Sequence, residues 1–218
     1  MKVTWIGHSA LKLEGSKIVY IDPFISGNPV AKLTMDHVSH ADVVVITHDH
    51  DDHLGDGFAI CKKTGATLVA IFEIAEVAAS KGIKAEGMNI GGTIIINGVS
   101  ISLVPAFHTA GLGGTATGVV VEMDGKKVYH AGDTGLTLEM QLIGEMYTPD
   151  VAFLPIDGRF NMGPRLAAKA VELLKVPKVV PFHYNTFPAI NSSPEEFKKL
   201  VGNKSQVIIL KPGEFIEL

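Results

Sequence analysis

The sequence predicts an α/β protein in which two β-sheets pack face to face and helices cover their outer faces. Short runs rich in β-branched residues alternate with stretches of helical spacing, and this succession occurs twice along the chain. Two sheets with helices outside them would bury every apolar stripe that the succession creates. At 218 residues the chain has the size of one domain, so we expect residues 1–218 to share one core.

The first half contains five predicted strands and two predicted helices. The strands end at Gly or Asp-Pro, or are continuous apolar runs typical of strands that are buried on both faces. In order, the strands are KVTWIG, LKLEG, KIVYID, DVVVIT and ATLVAIF, and the helices are FAICKKTG and EIAEVAASKG. The first three strands are short and follow one another closely, which indicates a meander.

The second half opens with two predicted hairpins, TIIINGVSISLVPAFH and TGVVVEMDGKKVYHAGD. Their turns are predicted at Asn97-Gly98 and Asp124-Gly125, because both dipeptides favour tight hairpin turns. Three helices and three strands complete the chain. The helices are TLEMQLIGEMY, PRLAAKAVELLKV and SPEEFKKLVG, and the strands are DVAFLPID, KVVPFH and QVIILKPGEFIEL.

The composition excludes several classes of protein. Hydrophobic residues make up 46% of the chain and charged residues 19%, which is typical of a soluble, well-packed domain. The net charge of −4 argues against a nucleic-acid partner. Cys61 is the single cysteine, so an internal disulfide and a cysteine-rich zinc site are excluded. We find no signal-peptide pattern and no membrane-length apolar run, so we expect a cytoplasmic protein with no membrane partner. Exposed strand edges would allow a homo-oligomer.

The stretch ITHDHDDH, residues 46–53, places three histidines and three aspartates in eight positions. A solvated surface loop is one explanation for this crowding. A metal site is the other, because a divalent cation offsets the repulsion among carboxylates and takes neutral imidazole as a ligand. His48 and His50 can point the same way on an extended segment, while Asp52 and His53 can face a second ion. Asp49 and Asp51 have no ligand role here and should point to solvent or cap the turn.

Further residues of the same types follow other apolar strands. His108 follows SLVPAF, Asp133 follows KVYHAG, and His183 follows KVVPF. This recurrence favours the metal site over a surface loop, because unrelated surface residues would not all choose the same end of a strand. Seven candidate ligands suit two ions about 3.5–4 Å apart that hold a hydroxide nucleophile between them. Imidazole and carboxylate ligands favour Zn²⁺, with Mn²⁺ or Fe²⁺ as alternatives.

The motifs THDHDDH, PAFH, HAGDTG and PFHYN resemble, in this order, those of the metallo-β-lactamase superfamily, and they span nearly the whole chain. The resemblance implies a four-layer αββα sandwich of two mixed sheets, with the site at one edge. It also implies a division of the ligands between two ions. By resemblance, the first ion would take His48, His50 and His108, the second would take Asp52, His53 and His183, and Asp133 would bridge them.

Other stretches resemble particular branches of the superfamily. WIGHSALKLEG and IDPFISGNP are similar to the branch that contains ascorbate-phosphate lactonases and N-acylphosphatidylethanolamine phospholipase D. HYNTFPAI and IDGRFNMGP are similar to a group of small prokaryotic metal-dependent hydrolases. The resemblance names no substrate.

Residues near the predicted ligands have expected supporting roles. By the same resemblance, His8 should lie beside the ions and contact a ligand or the substrate, and it or a water on the second ion would supply the leaving group with a proton. Asp22 either caps a turn before Pro23 or accepts a proton from a ligand histidine and so sets its tautomer. His130 should be a core histidine or a neighbour of a ligand. We expect the substrate pocket to be shaped by Arg159, Tyr184 and Asn185, with Arg159 able to pair with an anion.

The predicted function is therefore hydrolysis of an ester, lactone, amide or phosphodiester in a small molecule by a metal-bound hydroxide. Asp52, Asp133 and His8 are the residues expected to take part in catalysis. One alternative is a nuclease, although such enzymes need a basic surface or an added clamping domain that this chain lacks room for. The other is a non-catalytic metal-binding protein. The diiron oxygen-reducing members of the superfamily carry Glu at the position of His50, so the histidine argues against that use.

Overall fold

Fourteen strands form two sheets in the computed structural model, which describes residues 1–111 and 113–218. In chain order the strands are β1 (Lys2–Gly7), β2 (Ala10–Glu14), β3 (Ile18–Ile21), β4 (Val43–Val45), β5 (Thr67–Ile71), β6 (Ala85–Met88), β7 (Thr93–Ile96), β8 (Val99–Pro105), β9 (Thr117–Met123), β10 (Lys126–His130), β11 (Val151–Pro155), β12 (Lys178–Phe182), β13 (Gln206–Val207) and β14 (Phe215–Glu217).

Both sheets are mixed and have the same construction. The first has the strand order β14-β1-β2-β3-β4-β5-β6, and the second has the order β13-β12-β11-β10-β9-β8-β7. Strands β14 to β3 pair antiparallel and β3 to β6 pair parallel. In the same way, β7 to β10 pair antiparallel and β10 to β13 pair parallel. The predicted meander and both predicted hairpins are therefore present.

Six α-helices accompany the sheets: α1 (Asp51–Leu54), α2 (Gly57–Thr64), α3 (Phe72–Ser80), α4 (Glu139–Tyr147), α5 (Pro164–Leu174) and α6 (Pro194–Val201). Helices α2 and α3 contact the first sheet, whereas α4, α5 and α6 pack together and bury their apolar faces with the second. The predicted four-layer αββα sandwich is confirmed. None of the helices in the described residues has the length and apolar character needed to cross a bilayer.

The alternation of side chains along the first sheet explains its two apolar faces. Leu11, Leu13 and Val43 belong to the large cluster between the sheets. Val44 and Leu68 belong to the smaller cluster beneath α2 and α3. Successive side chains on a strand point to opposite faces, so a strand between two covered faces must be apolar throughout. That requirement accounts for the continuous runs in β4 and β5.

The predicted C-terminal strand sequence, QVIILKPGEFIEL, forms two short strands that belong to different sheets. Strand β13 joins the second sheet beside β12, and β14 joins the first sheet beside β1. Two residues between these strands interrupt the extended backbone. Pro212 cannot donate a backbone hydrogen bond, and Gly213 has a φ of 89°. The N–H of Gly213 donates to the carbonyl of Trp5 and ties the turn to β1.

Two elements have no counterpart in the sequence prediction. Strand β6 is an edge strand whose sequence, AEGM, is largely exposed and shows no alternation. Helix α1 is a single turn of four residues inside the ITHDHDDH stretch, and four residues are too few to display a helical period. His48 and His50 precede this short helix, whereas Asp52 and His53 lie within it.

Candidate metal centre

The seven predicted ligands lie together at one edge of the two sheets. They come from the segments that follow β4, β8, β10 and β12, and those segments contribute the residues His48, His50, Asp52, His53, His108, Asp133 and His183. Their ring nitrogens and carboxylate oxygens form three groups with mutual distances within 4.8 Å. The expectation that these strand ends meet is confirmed.

Two of the three groups contain different residues. His48, His50 and His108 form what we call the three-histidine cluster. The mixed cluster consists of His8, Asp52, His53 and His183. The resemblance separated the ligands in the same way, except that the structure adds His8 to the mixed cluster.

Asp133 lies between the two clusters and contacts both. Its Oδ1 is 3.1 Å from His53 Nε2 and 3.3 Å from His183 Nε2, and its Oδ2 is 3.4 Å from His108 Nε2. Gly132 makes this position possible, because its φ is 63° and a Cβ there would collide with the carbonyl oxygen of Thr117. The motif HAGD therefore requires glycine directly before its aspartate.

Three buried atoms at the centre of the site make no hydrogen bond. They are His53 Nε2, Asp133 Oδ1 and His183 Nε2. The aspartate oxygen lies 3.1 Å from the first nitrogen and 3.3 Å from the second. Buried polar atoms are nearly always satisfied, so three orphans that converge indicate a missing partner. Nitrogen and oxygen donors suit a divalent cation, and these residues fit the predicted metal centre.

Asp22 determines the tautomers on the β4 side of the site. It is fully buried, and its Oδ1 accepts from Thr47 N–H at 2.8 Å. Its Oδ2 accepts from His53 Nδ1 at 2.7 Å and from the Thr47 hydroxyl at 2.6 Å. Because the Thr47 hydroxyl donates its hydrogen to Asp22, its oxygen can only accept from His48 Nδ1, which lies 3.0 Å away. Both histidines thereby present Nε2 to the site, as a metal-binding imidazole with a carboxylate partner does.

Asp157 plays the same part for His183 and was missed in the sequence. Its Oδ2 lies 3.2 Å from His183 Nδ1, and Asn161 Nδ2 donates to that oxygen at 2.8 Å. Its Oδ1 accepts the backbone N–H groups of Arg159 and Phe160. The signal was available, because Asp157 follows the apolar strand β11 and precedes a glycine, just as Asp133 follows β10.

His8 is fully buried between Thr186 and Asp52. Its Nε2 donates to Asp52 Oδ2 at 2.9 Å, and its Nδ1 accepts from Thr186 Oγ1 at 2.9 Å. Its ring centroid is 3.9 Å from that of His183. Burial and the neighbouring His183 lower the pKa of His8 to about 4, so the ring is neutral at pH 7.

His48 and His108 differ from His53 and His183 in the direction of their pKa shifts. Burial lowers the pKa of His48 to about 2 and also lowers the pKa of His108. Burial acts on His183 in the same sense, but the charge of Asp133 and the contacts with Asp157 and Asp52 outweigh it and raise its pKa to about 9. For His53, the charges of Asp133 and Asp22 overcome burial and raise the pKa well above its usual value.

Several site residues adopt the left-handed backbone conformation, which is unfavourable for residues other than glycine. The φ angles are 55° for His8, 45° for Asp22, 56° for His183 and 57° for Asn185. These four are half of the eight non-glycine residues with positive φ in the described ranges. Such strain is concentrated at functional sites, where the surrounding contacts hold it in place.

The expected solvent position of Asp49 is wrong. Its Oδ1 accepts the N–H of Gly111 at 2.6 Å and its Oδ2 accepts the N–H of Gly113 at 2.8 Å. A Cβ on either glycine would lie about 3.0 Å from this carboxylate, so glycine permits the approach. Asp49 thus fastens the segment after His108 to the segment that carries His48 and His50. Asp51 is exposed, as expected.

The remaining predicted residues occupy three kinds of position. His130 is fully buried, donates from Nε2 to the Ser9 carbonyl and accepts Gly132 N–H at Nδ1, so it connects β1 to the Asp133 turn. Tyr184 stacks on Trp5 and is 9% exposed. Arg159 and Asn185 are both exposed at the site edge.

Comparison with known proteins agrees with this geometry. Residues 17–184 match the family model described as the beta-lactamase superfamily domain. The chain belongs to the metallo-β-lactamase superfamily. A UPF0173 metal-dependent hydrolase of Thermococcus onnurineus is 53% identical over 225 residues, which cover 100% of both chains. A second, from Methanopyrus kandleri, is 51% identical over 230 residues, again with complete coverage.

A solved structure is also closely similar. Igni18, described as a novel metallo hydrolase from the hyperthermophilic archaeon Ignicoccus hospitalis, is 44% identical and superposes with a TM-score of 0.93. The match covers 99% of this chain and 97% of Igni18. Together with these relatives, the His/Asp centre identifies the protein as a metal-dependent hydrolase of the metallo-β-lactamase fold.

Proposed function

We propose that this hydrolase holds two divalent ions, most simply Zn²⁺, and cleaves an ester, lactone, amide or phosphodiester bond in a small molecule. The convergence of three unsatisfied buried atoms, His53 Nε2, Asp133 Oδ1 and His183 Nε2, is the observation that carries this proposal. The three-histidine cluster would hold one ion and the mixed cluster the other, with Asp133 in contact with both. When bound, such ions lower the pKa of water and polarise the bond to be cleaved.

The residues of the chain itself prepare the site. Asp22 and Asp157 hold the Nδ1 sides of His53 and His183, so each ring keeps its Nε2 directed inward. His8 holds Asp52 by Oδ2 and leaves the second carboxylate oxygen for an ion. Because the Nε2 proton of His8 is shared with Asp52, we assign His8 to positioning Asp52 and not to protonating the leaving group.

A small-molecule substrate is favoured over nucleic acid. The segments 46–56, 106–116, 131–138, 156–163 and 183–193, which carry most of the site, contain one arginine and no lysine. Binding a polyanion requires several cations along its backbone. The single cysteine and its buried position give no sign of disulfide chemistry, which supports our inference of a cytoplasmic site of action.

The proposal is tested by metal analysis combined with a substrate screen. The purified protein is stripped by a chelator and reloaded with Zn²⁺ or Mn²⁺, and metal content is measured by mass spectrometry. Each form is assayed against lactones, thioesters, amides and phosphodiesters, with His50→Ala as the control. We expect two ions per chain and hydrolysis only in the loaded forms. Full activity in the metal-free form, or full metal content and activity in His50→Ala, would contradict the proposal.

A further inference from the structure

Three phenylalanine side chains at the edge of the metal centre are substantially exposed. Phe107 is 74% exposed, Phe160 is 55% exposed and Phe187 is 38% exposed. A single exposed apolar side chain is ordinary on a protein surface, but several around one polar site are typical of a surface that binds a ligand. We call these three side chains the phenylalanine rim.

Backbone hydrogen bonds hold two members of the rim beside Asp133. Phe107 N–H donates to Thr134 Oγ1 at 2.9 Å, and Gly135 N–H donates to the carbonyl of Phe107 at 3.0 Å. On the other side, Met162 N–H donates to the carbonyl of Thr134 at 3.2 Å. The loops that carry Phe107 and Phe160 are therefore both fastened to the turn that carries Asp133.

The third member adjoins the mixed cluster. The Phe187 ring centroid is 5.6 Å from that of His8, in an edge-to-face arrangement. A cavity of about 380 Å³ opens beside it, lined by Asn185, Thr186, Phe187, Pro188 and Asn191. The hydroxyl of Thr186 contacts His8, so one side chain connects this cavity to the mixed cluster.

Arg159 supplies a positive charge next to the rim. Its guanidinium carbon lies 5.4 Å from the centroid of the Phe160 ring, and the structure shows no ion pair for it within residues 1–111 and 113–218. Its backbone N–H is held by Asp157, which also contacts His183. A guanidinium stacked on an aromatic face keeps its N–H groups available for a carboxylate or phosphate.

From this arrangement, and resting on the proposed function, we propose that the substrates are anionic small molecules that carry an aromatic or similarly flat apolar group. The scissile bond would lie at the metal centre, the apolar group would pack on the phenylalanine rim, and the anionic group would pair with Arg159. Each of the three features recognises one part of such a molecule. An ester that is both neutral and aliphatic would satisfy only the first.

The proposal is tested by binding rather than turnover, with three probes on the zinc-loaded protein. Benzylsuccinate has a phenyl ring and two carboxylates, succinate lacks the ring, and 3-phenylpropanoate lacks the second carboxylate. Isothermal titration calorimetry should show benzylsuccinate binding at least about tenfold more tightly than either of the others, because one carboxylate can face an ion while the second meets Arg159. Equal affinity for all three probes would overturn the proposal.

Variants of the rim residues and of Arg159 show which residue causes each difference in affinity between the probes. We expect Phe160→Ala and Phe187→Ala to remove most of the difference between benzylsuccinate and succinate. Arg159→Gln should remove the difference between benzylsuccinate and 3-phenylpropanoate. Phe72→Ala and Arg165→Gln are matched controls, because both residues are exposed and lie outside the phenylalanine rim. If the rim variants behave like the controls, the rim does not bind the ligand and the proposal is wrong.

The experiment separates this inference from the proposed function. Zinc content and hydrolysis are measured on the same preparations. A protein that binds zinc and hydrolyses members of the panel, but treats the three probes alike, refutes only the substrate class. A protein that takes up no zinc refutes the proposed function itself. The selective binding pattern in a zinc-loaded protein supports the substrate class whatever its rate of turnover.

Discussion

The three-histidine cluster and the mixed cluster are built from similar ligands but are supported differently. In the mixed cluster each ligand is held by another polar side chain: His53 by Asp22, His183 by Asp157 and Asp52 by His8. In the three-histidine cluster, His48 is held by Thr47 Oγ1 at 3.0 Å, whereas His50 contacts His48 itself at 3.0 Å. His108 has Asp133 as its nearest carboxylate, at 3.4 Å. The fold therefore prearranges the mixed cluster, whereas the ion itself would complete the other.

The difference extends to charge. Burial lowers the pKa values of His48 and His108, so both rings stay neutral at pH 7. His53 and His183 lie among carboxylates, and their pKa values are raised. Without an ion, the mixed cluster stabilises itself by ion pairs. An ion that enters must therefore displace protons from it.

Replacing Asp133 should have the largest effect, because this residue lies between the clusters and contacts both. We expect Asp133→Asn to lose both ions on mild chelation and to lower hydrolysis by at least about 100-fold, the upper range for the partners of metal ligands. Metal content per chain and rate are measured together. If Asp133→Asn keeps both ions, Asp133 does not join the clusters.

Removing one ligand from each cluster should show which cluster contributes to the stability of the metal-free protein and which contributes mainly to metal binding. His183→Ala leaves Asp157 buried without its histidine partner and Asp133 with one histidine partner fewer, so we expect the metal-free protein to lose about 3–5 kcal/mol of unfolding free energy. His108 is less buried and has no second carboxylate, so His108→Ala should lose one ion but keep nearly the same stability. Urea unfolding of both metal-free variants measures the contrast. Equal losses of unfolding free energy in the two variants would contradict the proposal that the fold supports the mixed cluster more strongly than the three-histidine cluster.

Variants of the supporting carboxylates should weaken only the mixed cluster. Asp157→Asn leaves His183 without its charged partner, and we expect about 10–100-fold weaker binding of one ion. Competition with a chromogenic chelator measures the affinity of each ion. The other ion, held by the three-histidine cluster, serves as the internal control and should keep its affinity.

Ion binding at pH 7 should release a proton from His183 in the mixed cluster, whereas His48 and His108 are already neutral. His183 has a pKa of about 9 in the metal-free protein, so it is protonated at pH 7 and must deprotonate to bind. Affinity should therefore rise as the pH increases from 7 towards 9. Titrations in buffers of different ionisation enthalpy count the protons. Release that is unchanged in His183→Gln would show that this histidine is not their source.

Asp49→Asn should have the smallest effect, because it acts on a neighbouring segment. The amide side chain loses the charge that attracts the N–H groups of Gly111 and Gly113, a contribution of about 1.5–3 kcal/mol for charged hydrogen bonds. We expect about tenfold faster hydrogen exchange at these amides with unchanged metal content. Asp51→Asn is the matched control, since Asp51 is exposed. Unchanged exchange at both glycines would contradict the role of Asp49.

Much of this architecture could be predicted from local patterns. The apolar runs of β4 and β5, the paired turns at Asn97 and Asp124, and the N-cap of α6 at Ser193 all depend on neighbouring residues. The separation of QVIILKPGEFIEL into two sheets could not be predicted in that way. Both parts have strand composition, and their partners, β12 and β1, lie far away in the chain.

The sequence by itself determined the kind of chemistry: histidines and aspartates that recur after apolar strands require a cation, because their crowding is otherwise unfavourable. Only the tertiary structure decided which side chains support them. Asp157, Thr186 and Asp49 look like ordinary turn residues in the sequence. They acquire their roles because strands distant in the chain end at one edge and place these groups within hydrogen-bond distance of His183, His8 and the Gly111–Gly113 segment.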